Sequence, residues 1–285
     1  MRIATPKNLT QSLTVPYQMN LWIGKAKHGS SSGLHHDYHD NLYILLSGRK
    51  QFRLFSPADA ANLYVRGRVN TVHSNGLISY SDLPTRSDGA NPVEVAAYET
   101  STAELELEQA EKDYETIDAS DASEEEKKKA LERVQDAEER LNNAMEASLD
   151  ACEAENESDD DTQAPSISQE EYPNFSRLSV EDLTGNSKTR KKFPRFNKAK
   201  EVVCQVKEGQ MLYLPASWFH EVTSFTEGER AHCAMNYWVY PPHIEEGTYT
   251  SPYEDNFWHD KWKHYLQRKN EGKEPSPPAK RQKVE

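Results

Sequence analysis

Cysteine and long apolar runs are both scarce in this chain of 285 residues. Its three cysteines, Cys152, Cys204 and Cys233, form no C-x-x-C pair and cannot close a disulfide framework, which favours a reducing compartment. No apolar run approaches the roughly 18 residues of a membrane span. The polar start, residues 1–11, lacks the apolar core of a signal peptide. These absences predict a soluble intracellular protein.

Apolar residues are also few, at 35% of the chain, and the mean hydropathy is −0.91. Part of the chain should therefore be solvated. The net charge of −13 is unevenly placed, because residues 91–165 hold 25 acidic and 6 basic residues, net −19. The remainder holds 22 acidic and 28 basic residues, net +6. The acidity belongs to one segment of the chain and not to the whole fold.

The acidic segment has the pattern of a helical hairpin. Between Val93 and Asp150 it contains no glycine or proline. Its larger apolar residues recur at the three-, four- and seven-residue spacing of an amphipathic helix: Leu131, Val134, Leu141, Met145 and Leu149. A break at residues 118–123, where Ser123 and Glu126 can form a capping box, separates two helices. We predict that the acidic low-complexity stretch from Asp150 to Pro165 is disordered.

The rest of the sequence consists of short apolar runs separated by turns. Leu42–Leu46, the turn Ser47–Lys50 and the alternating run Gln51–Phe55 predict a β-hairpin. Four more strand-like runs follow the acidic segment: Val202–Val206, Met211–Pro215, Trp218–Val222 and Cys233–Tyr240. Short strands on both sides of a helical insertion indicate an antiparallel barrel or sandwich.

Histidine and aspartate are concentrated just before the run Leu42–Leu46. Residues two apart on a strand point to the same face, so His35 and Asp37 could bind one ion together. Two other pairings are open at this point, His36 with Asp37 and the adjacent pair His39–Asp40. A simpler interpretation is that these side chains only form hydrogen bonds within a strand.

A third residue sharpens this choice. His220 follows a strand in a Leu-Pro-x-x-Trp-Phe-His context. Together with His35 and Asp37 it gives two histidines and one carboxylate, the ligand set that leaves open positions on non-haem Fe(II). We therefore predict a metal site at these three residues.

Several ordered motifs resemble the JmjC or cupin-8 family of 2-oxoglutarate-dependent oxygenases, which includes protein hydroxylases and histone lysine demethylases. The motifs are Asn20–Gly24, Leu34–Asp37 with Asn41–Tyr43, Gly48–Phe52, Leu212–His220 and Asn236–Trp238. The resemblance covers residues 17–90 and 170–265. It implies a mainly β fold, a double-stranded β-helix of the jelly-roll or cupin type, with a long acidic α-helical insertion and a C-terminal helix.

The resemblance also implies a division of the chain into four parts. Residues 1–90 form the N-terminal part of the barrel, and residues 91–170 form the acidic helical hairpin with a disordered insertion. Residues 171–268 complete the barrel and carry the terminal helix. Residues 269–285 form a disordered basic tail.

Site residues and cofactors follow from the same resemblance. It makes His35, Asp37 and His220 the ligands of Fe(II), and it pairs Lys50 with the distal carboxylate of 2-oxoglutarate. A small dianion needs a fixed cation at one end while its other end binds the metal. Three further residues match positions that line the cosubstrate pocket: Ser32, Asn41 and Asn236. The pocket tyrosine that family members carry in an upstream region has no clear match.

The activity implied is hydroxylation of a protein side chain with Fe(II) and 2-oxoglutarate. Hydroxylation of an N-methyl group would instead make the protein a histone or protein lysine demethylase. No segment resembles a chromatin-reader domain, which favours the hydroxylase. A non-catalytic cupin-fold protein that acts as a nuclear interaction partner is the alternative from a different class.

Partners and location are predicted from charge. The acidic hairpin suits a basic partner such as a histone, although a merely solvated insertion would look the same. Five basic residues between Lys188 and Arg195 do not predict direct binding of nucleic acid. The tail Pro278–Val284 resembles a nuclear import signal, so the nucleus is favoured over the cytoplasm. Trp258 and Trp262 lie four apart in a predicted helix, Asp255–Gln267, and should pack it onto the barrel or onto a second subunit.

Overall fold

A computed structural model describes residues 14–26, 28–157, 172–226, 228, 230–242 and 252–270. Within these ranges the strands are β1 Pro16–Gly24, β2 Ser30–Ser31, β3 Asp40–Ser47, β4 Arg49–Phe55, β5 Val69–Val72, β6 Ile78–Tyr80, β7 Val202–Lys207, β8 Met211–Leu214, β9 Phe219–Phe225 and β10 His232–Val239. The α-helices are α1 Pro92–Asp118, α2 Glu124–Glu157, α3 Ser187–Lys192 and α4 Phe257–Asn270. Short 3-10 helices span Pro57–Asn62, Asp182–Thr184 and Pro194–Lys198. None of the described helices is both long enough and apolar enough to cross a bilayer.

Two four-stranded antiparallel sheets form a jelly roll, as predicted. The first has the order β1-β10-β3-β8 and the second the order β2-β9-β4-β7. Strands β5 and β6 form a separate two-stranded sheet. Neighbours within each large sheet are far apart in sequence, so the strands on both sides of the acidic segment are needed to complete either sheet.

The predicted hairpin of Leu42–Leu46 with Gln51–Phe55 is wrong. Strand β3 pairs with β10 and β8, whereas β4 pairs with β9 and β7, so the turn between them crosses from one sheet to the other. Gly48 makes this crossing with a φ of +85°, and a Cβ atom there would lie 2.8 Å from the carbonyl oxygen of Phe225. Only glycine fits such a close left-handed turn.

The interior of the jelly roll is built by alternate residues of both sheets. Its buried apolar side chains are Tyr43, Leu45, Phe52, Leu54, Val206, Leu214 and Ala234. Because the side-chain period of a strand is two, this face is fixed by the register of each strand pair. A second apolar cluster, which includes Phe55, Leu63, Tyr80 and Phe219, fills the space below the end of the second sheet.

Strand β1 is exposed on its apolar face, while its opposite face carries Gln18 and the buried Asn20. Its outward residues Met19, Leu21 and Ile23 are 48%, 53% and 66% exposed, and Trp22 on the opposite face is 42% exposed. A contiguous apolar patch of this kind exceeds the scattered apolar residues of an ordinary surface. The sequence alone therefore could not show which face of β1 points into the barrel.

The acidic segment forms the predicted helical hairpin, here called the arm (α1, α2 and the loop between them, residues 92–157). Ser123 and Glu126 form the predicted capping box, since the Glu126 carboxylate accepts from the Ser123 amide at 2.8 Å and the Glu126 amide donates to the Ser123 hydroxyl at 3.3 Å. Only two of the five apolar residues predicted to form the contact between the helices are shielded from solvent. Val134 and Leu141 are half-buried, but the other members are exposed: Leu131, Met145 and Leu149.

Alanines form the centre of the contact between α1 and α2. Ala103, Ala130 and Ala137 are buried, and Ala144 and Ala151 continue the seven-residue spacing. Small side chains at this spacing let two helix backbones approach closely. The spacing also explains why α2 continues to Glu157, so the predicted disorder is wrong for residues 150–157. The remainder of that stretch and the tail from residue 271 onward lie outside the described residues.

The base of the arm is packed against α4, whose existence and position confirm the predicted C-terminal helix. Val95 and Tyr98 of α1 contact a cluster that includes Phe257, Trp258 and Trp262. The Trp258 indole donates to the backbone oxygen of Asp88 at 3.2 Å. These tryptophans therefore join α4 to the barrel end and to the arm, while the homodimer and the domain boundaries stay predictions.

Replacing Ala137 by aspartate should open the arm without affecting the barrel. A buried charge and extra volume at this position are expected to cost about 1–3 kcal/mol. Circular dichroism should show reduced helicity, and limited proteolysis should cut within the arm. Gln135→Asp adds the same charge at an exposed site of the same helix and should change neither. Equal helicity in both variants would contradict the importance of the alanine contact.

Candidate metal centre

The three predicted ligands come from two neighbouring chain segments. His35 and Asp37 lie in the connection between β2 and β3, and His220 is the second residue of β9. The sequence had suggested that His35 lies on a regular strand. In the structure it forms only an isolated bridge with His220. Just before His35, the short strand β2 at Ser30–Ser31 pairs with β9. This pairing aligns the two segments.

The ligand atoms of His35, Asp37 and His220 all lie within 4.8 Å of one another. The His220 Nε2 atom is 3.7 Å from the Asp37 Oδ2 atom. No other group of three or more metal-type ligands occurs among the residues that the structure describes. The structure thus brings together the three residues that the sequence proposed.

Backbone carbonyls orient both histidine rings. The Nδ1 atom of His35 is 3.0 Å from the Gly33 oxygen, and that of His220 is 3.0 Å from the Trp218 oxygen. A carbonyl can only accept, so Nδ1 carries the proton in each neutral ring and Nε2 presents its lone pair to the site. Burial and the neighbouring His220 lower the pKa of His35 from 6.5 to about 4. His35 is therefore unprotonated and able to bind a cation at neutral pH.

The turn before β9 is fastened to the segment that carries Asp37. The Ser217 amide donates to the backbone carbonyl oxygen of Asp37 at 2.7 Å, and the Ser217 hydroxyl accepts from the Ile78 amide at 2.9 Å. Ser217 is fully buried and has a φ of +61°, a conformation that must be held by its surroundings. The Asp40 carboxylate accepts from the Ala216 amide at 2.9 Å, which holds the same turn. These bonds fix the position of His220 relative to Asp37.

The other candidate pairings do not converge on a site. His36 is fully buried, and its Nε2 lies 2.6 Å from the Tyr80 hydroxyl. His39 stacks on the Tyr17 ring with centroids 3.9 Å apart. Asp40 is bonded to the turn at Ala216 and to Tyr213. Of the pairings left open by the sequence, only His35 with Asp37 faces His220.

Lys50 is a buried cation without an acidic partner. It is 4% exposed, its Nζ donates to the Ser224 hydroxyl at 2.7 Å, and it lies 5.8 Å from the Tyr43 ring. No carboxylate in the described part of the chain forms an ion pair with it. Burial lowers its pKa from 10.5 to about 8. An isolated buried ammonium is costly, and a bound anion would relieve that cost.

Lys50 and His220 reach the same interior through one strand. Lys50 pairs with Ser224 and Leu54 pairs with His220 along β4 and β9. Strand β9 therefore lies between Lys50 and the segment that carries His35. The offset of four residues between Ser224 and His220 corresponds to about 13 Å along β9.

The three remaining predicted pocket residues occupy different positions. Ser32 is exposed, donates to the Gly33 oxygen at 3.0 Å and accepts from the Val222 amide at 3.0 Å. Asn41 and Asn236 are buried and joined by a hydrogen bond of 3.0 Å. The Trp22 indole donates to the Asn236 amide oxygen at 2.8 Å. The two asparagines therefore line the barrel interior as one bonded pair.

Sequence reasoning missed three polar residues of this interior. Ser224 bonds Lys50, Tyr43 lies beside it, and Asn20 is opposite Asn236 in the strand register. The buried Nδ2 of Asn20 has no hydrogen-bond partner in the structure, which is unusual for a buried amide. Ser224 was the most accessible to prediction, because it lies four residues after His220 on the same face of one strand.

The residues of the site fit Fe(II) and 2-oxoglutarate, the metal and cosubstrate expected from the sequence. Two imidazoles and one carboxylate whose ligand atoms lie within 4.8 Å of one another suit Fe(II) with open positions. The unpaired Lys50, the Ser224 hydroxyl and the free amide hydrogen atoms of Asn20 suit the carboxylate of 2-oxoglutarate. Fold and site together define a jelly-roll protein with a two-histidine, one-carboxylate centre.

The chain belongs to the family of cupin-like domains of the JmjC type. The model of the Cupin-like domain matches residues 2–243. JmjC domain-containing protein 4 of Schizosaccharomyces pombe is 38% identical over 288 residues, which cover 87% of this chain and 59% of that protein. Lysine-specific demethylase JMJ32 of Arabidopsis thaliana is 25% identical over 225 residues, which cover 78% of this chain and 41% of that protein. The matches therefore span roughly half of each curated relative.

Proposed function

We propose that the protein is an Fe(II)- and 2-oxoglutarate-dependent oxygenase that hydroxylates a side chain of another protein. One observation carries this proposal: two histidines and an aspartate converge within 4.8 Å in the barrel that also holds the buried Lys50, which has no described ion pair. Membership of the JmjC-type family supports the same chemistry.

Fe(II) and 2-oxoglutarate, when bound, supply the oxidation of a substrate C–H bond by O₂, with release of succinate and CO₂. The chain's own residues bind and orient the components. His35, Asp37 and His220 would hold the metal on one side and leave the opposite side open. Lys50 and Ser224 would bind the distal carboxylate and thereby fix the cosubstrate relative to the metal.

Surrounding residues keep the ligands in place. The Phe175 ring stacks on His35 with centroids 4.8 Å apart, and the backbone bonds of Gly33 and Trp218 hold both Nε2 atoms towards the centre. The fully buried Phe219 precedes His220 and packs edge-on against His36, the residue between His35 and Asp37. The protein thus contributes the orientation of the ligands.

Succinate formation from 2-oxoglutarate tests the proposal. The wild-type protein with Fe(II) should turn over 2-oxoglutarate, and His35→Ala should reduce this turnover at least about a hundredfold because one of three ligands is lost. Lys207→Met, an exposed change on β7, serves as a folded control whose turnover should equal that of the wild type. Unchanged turnover in His35→Ala would refute the metal assignment.

Demethylation is a second candidate, because the Arabidopsis relative is named a lysine-specific demethylase. Both reactions begin with hydroxylation of a carbon atom, and they differ in the product. Mass spectrometry of proteins trapped on Asp37→Ala and then exposed to the wild type would show a gain of one oxygen for a hydroxylase. Loss of one methylene with release of formaldehyde would identify a demethylase. Neither product, with metal bound, would favour the non-catalytic interaction protein.

We further propose a protein partner and a nuclear location. The arm carries 22 acidic and 6 basic residues, net −16, which suits a basic partner such as a histone through charge complementarity. The basic tail Pro278–Val284 lies outside the described residues, and its composition supports nuclear import. Fluorescence microscopy of the tagged chain with and without residues 275–285 tests the location. An unchanged distribution would refute the role of the tail.

A further inference from the structure

A basic surface lies beside the metal centre and takes no part in the chemistry proposed above. Residues 172–200 carry eight basic and two acidic residues, net +6, in a chain whose total charge is −13. The exposed members, with two arginines of a neighbouring loop, form what we call the basic track: Arg66, Arg68, Arg177, Lys188, Lys191, Lys192, Arg195, Lys198 and Lys200.

The basic track is held by the fold and is not a loose loop. Helix α3 and the following 3-10 helix are anchored by the buried Phe193 and Thr189. The Arg195 guanidinium lies over the Tyr64 ring at 4.7 Å, and the Arg195 amide donates to the Tyr64 hydroxyl at 3.0 Å. The Arg177 amide in turn donates to the Tyr64 oxygen at 3.0 Å. Tyr64 therefore joins the two halves of the track.

The track leads to the metal centre through direct contacts. The Arg66 amide donates to the Phe175 oxygen at 2.9 Å, and the Phe175 ring stacks on the metal-ligand candidate His35. The Ser176 amide donates to the Leu34 oxygen at 2.9 Å. A chain bound along the track would thus pass next to the side of the barrel that carries His35.

Five cations of the basic track are not neutralised by an ion pair within the described part of the chain. Lys188, Lys191, Lys198 and Lys200 form no ion pair there, and neither does Arg195. Two acidic groups lie beside the track: the Asp59 carboxylate accepts from the Lys200 amide at 3.1 Å, and the pKa of Asp182 is lowered mainly by a hydrogen bond from Ser179 and also by Lys192. All the described ion pairs of the arm are within the arm or with α4, so the arm does not cover the track.

We propose that the basic track binds an acidic segment of the protein substrate and guides the neighbouring residue to the metal centre. This rests on the proposed function, which it deepens by naming a substrate class. Exposed arginines bind carboxylates in a bidentate manner, and an array of unpaired cations attracts an acidic chain from solution. The acidic arm, which suits a basic partner, is a different surface from the basic track. The substrate segment that binds the track, next to the reacting residue, is therefore proposed to be acidic.

Nucleic acid fits these observations less well than an acidic peptide. The chain has a pI of about 5.3, whereas nucleic-acid-binding domains are usually strongly basic.

Binding of a labelled peptide tests the proposal independently of turnover. The probe is a fluorescein-labelled 12-residue peptide of alternating glutamate and glycine, and the reference peptide replaces glutamate by glutamine. The wild type should bind the glutamate peptide in a salt-sensitive manner. The triple variant Lys188→Gln, Lys191→Gln, Lys198→Gln should bind it about tenfold more weakly, since three exposed charges are lost.

A matched control separates location from total charge. Lys112→Gln, Lys128→Gln, Lys129→Gln removes the same number of charges from exposed positions of the arm and should bind as the wild type does. Equal losses in both triple variants, or no loss in either, would overturn the proposal. Tighter binding of a labelled single-stranded RNA that depends on the same three lysines would assign the track to nucleic acid instead and also overturn it.

Two further outcomes are distinguishable. A salt-sensitive dimer that the track variant abolishes would make the arm of a second copy the occupant, contrary to the proposal. Uncoupled succinate formation should be equal in the wild type and the track variant, because no ligand is touched. Absence of turnover with intact peptide binding would refute the oxygenase function and leave the acidic-segment site standing.

Discussion

Lys50→Met is expected to stabilise the protein in the absence of 2-oxoglutarate and to abolish its response to that compound. Lys50 is buried with no carboxylate beside it, and burial lowers its pKa from 10.5 to about 8. A pKa difference of this size corresponds to a penalty on the order of 3 kcal/mol at neutral pH. Methionine keeps the volume of the side chain and removes the charge, so part of this penalty should be recovered.

The pH dependence has a defined sign. Because the pKa of Lys50 is lower in the folded than in the unfolded protein, the penalty is fully present below about pH 8. It disappears as the pH rises towards 10.5, where the unfolded lysine also loses its proton. The stability advantage of Lys50→Met, measured by urea unfolding, should therefore shrink between these two values.

Ligand-induced stabilisation gives the second readout. With Zn(II) in place of iron, a saturating concentration of 2-oxoglutarate, about 100 times its dissociation constant, should stabilise the wild type by about 2.7 kcal/mol. Lys50→Met should show almost no such gain. Lys207→Met, an exposed position on β7, should behave as the wild type in both measurements. A variant at Lys50 that is less stable than the wild type, or that keeps the ligand response, would contradict the role given to this lysine.

Phe219→Ala should have the largest effect on stability of any single change considered. The side chain is fully buried, and its ring lies edge-on to His36 with centroids 4.9 Å apart. Truncation of a buried phenylalanine leaves a cavity and costs about 3–5 kcal/mol, a large share of the 5–15 kcal/mol of a typical domain. Thermal unfolding followed by circular dichroism should show a correspondingly lower melting temperature.

The same change should weaken metal binding, because Phe219 precedes His220 and packs against the residue between His35 and Asp37. Titration with Co(II), at a temperature where the variant is folded, measures this effect. Phe52→Ala is a matched control, since Phe52 is also fully buried but lies in the other apolar cluster. It should lose similar stability and retain Co(II) affinity. Equal Co(II) affinity in Phe219→Ala and the wild type would show that the packing does not position the ligands.

The metal centre was the most predictable part of the molecule. His35, Asp37 and His220 belong to short motifs whose residue types have few other uses together, and Lys50 lies at a fixed offset from them. Their convergence does not depend on the exact secondary structure of the segment. Although His35 is in an isolated bridge, its backbone is aligned with His220 by the same hydrogen bonds that a strand would form.

Strand pairing and helix packing were less predictable, for physical reasons. The turn at Gly48 is short enough for a hairpin, and only the pairing of β3 with β10 and of β4 with β9 shows that the chain crosses between the sheets. In the arm, hydrophobicity points to large residues such as Leu149, which is 66% exposed. The closest contact is made by alanines, because helix approach depends on side-chain size as well as on apolar character.

The length of the arm separates its charge from the chemistry of the barrel. The cited contacts of α1 with α4 reach Tyr98, and the helix continues to Asp118, about 30 Å farther along its axis. The Debye length at physiological salt is about 8 Å, so the tip is almost four screening lengths beyond Tyr98. The carboxylates at the tip can therefore attract a partner there, far from the barrel, without changing the protonation of the metal centre.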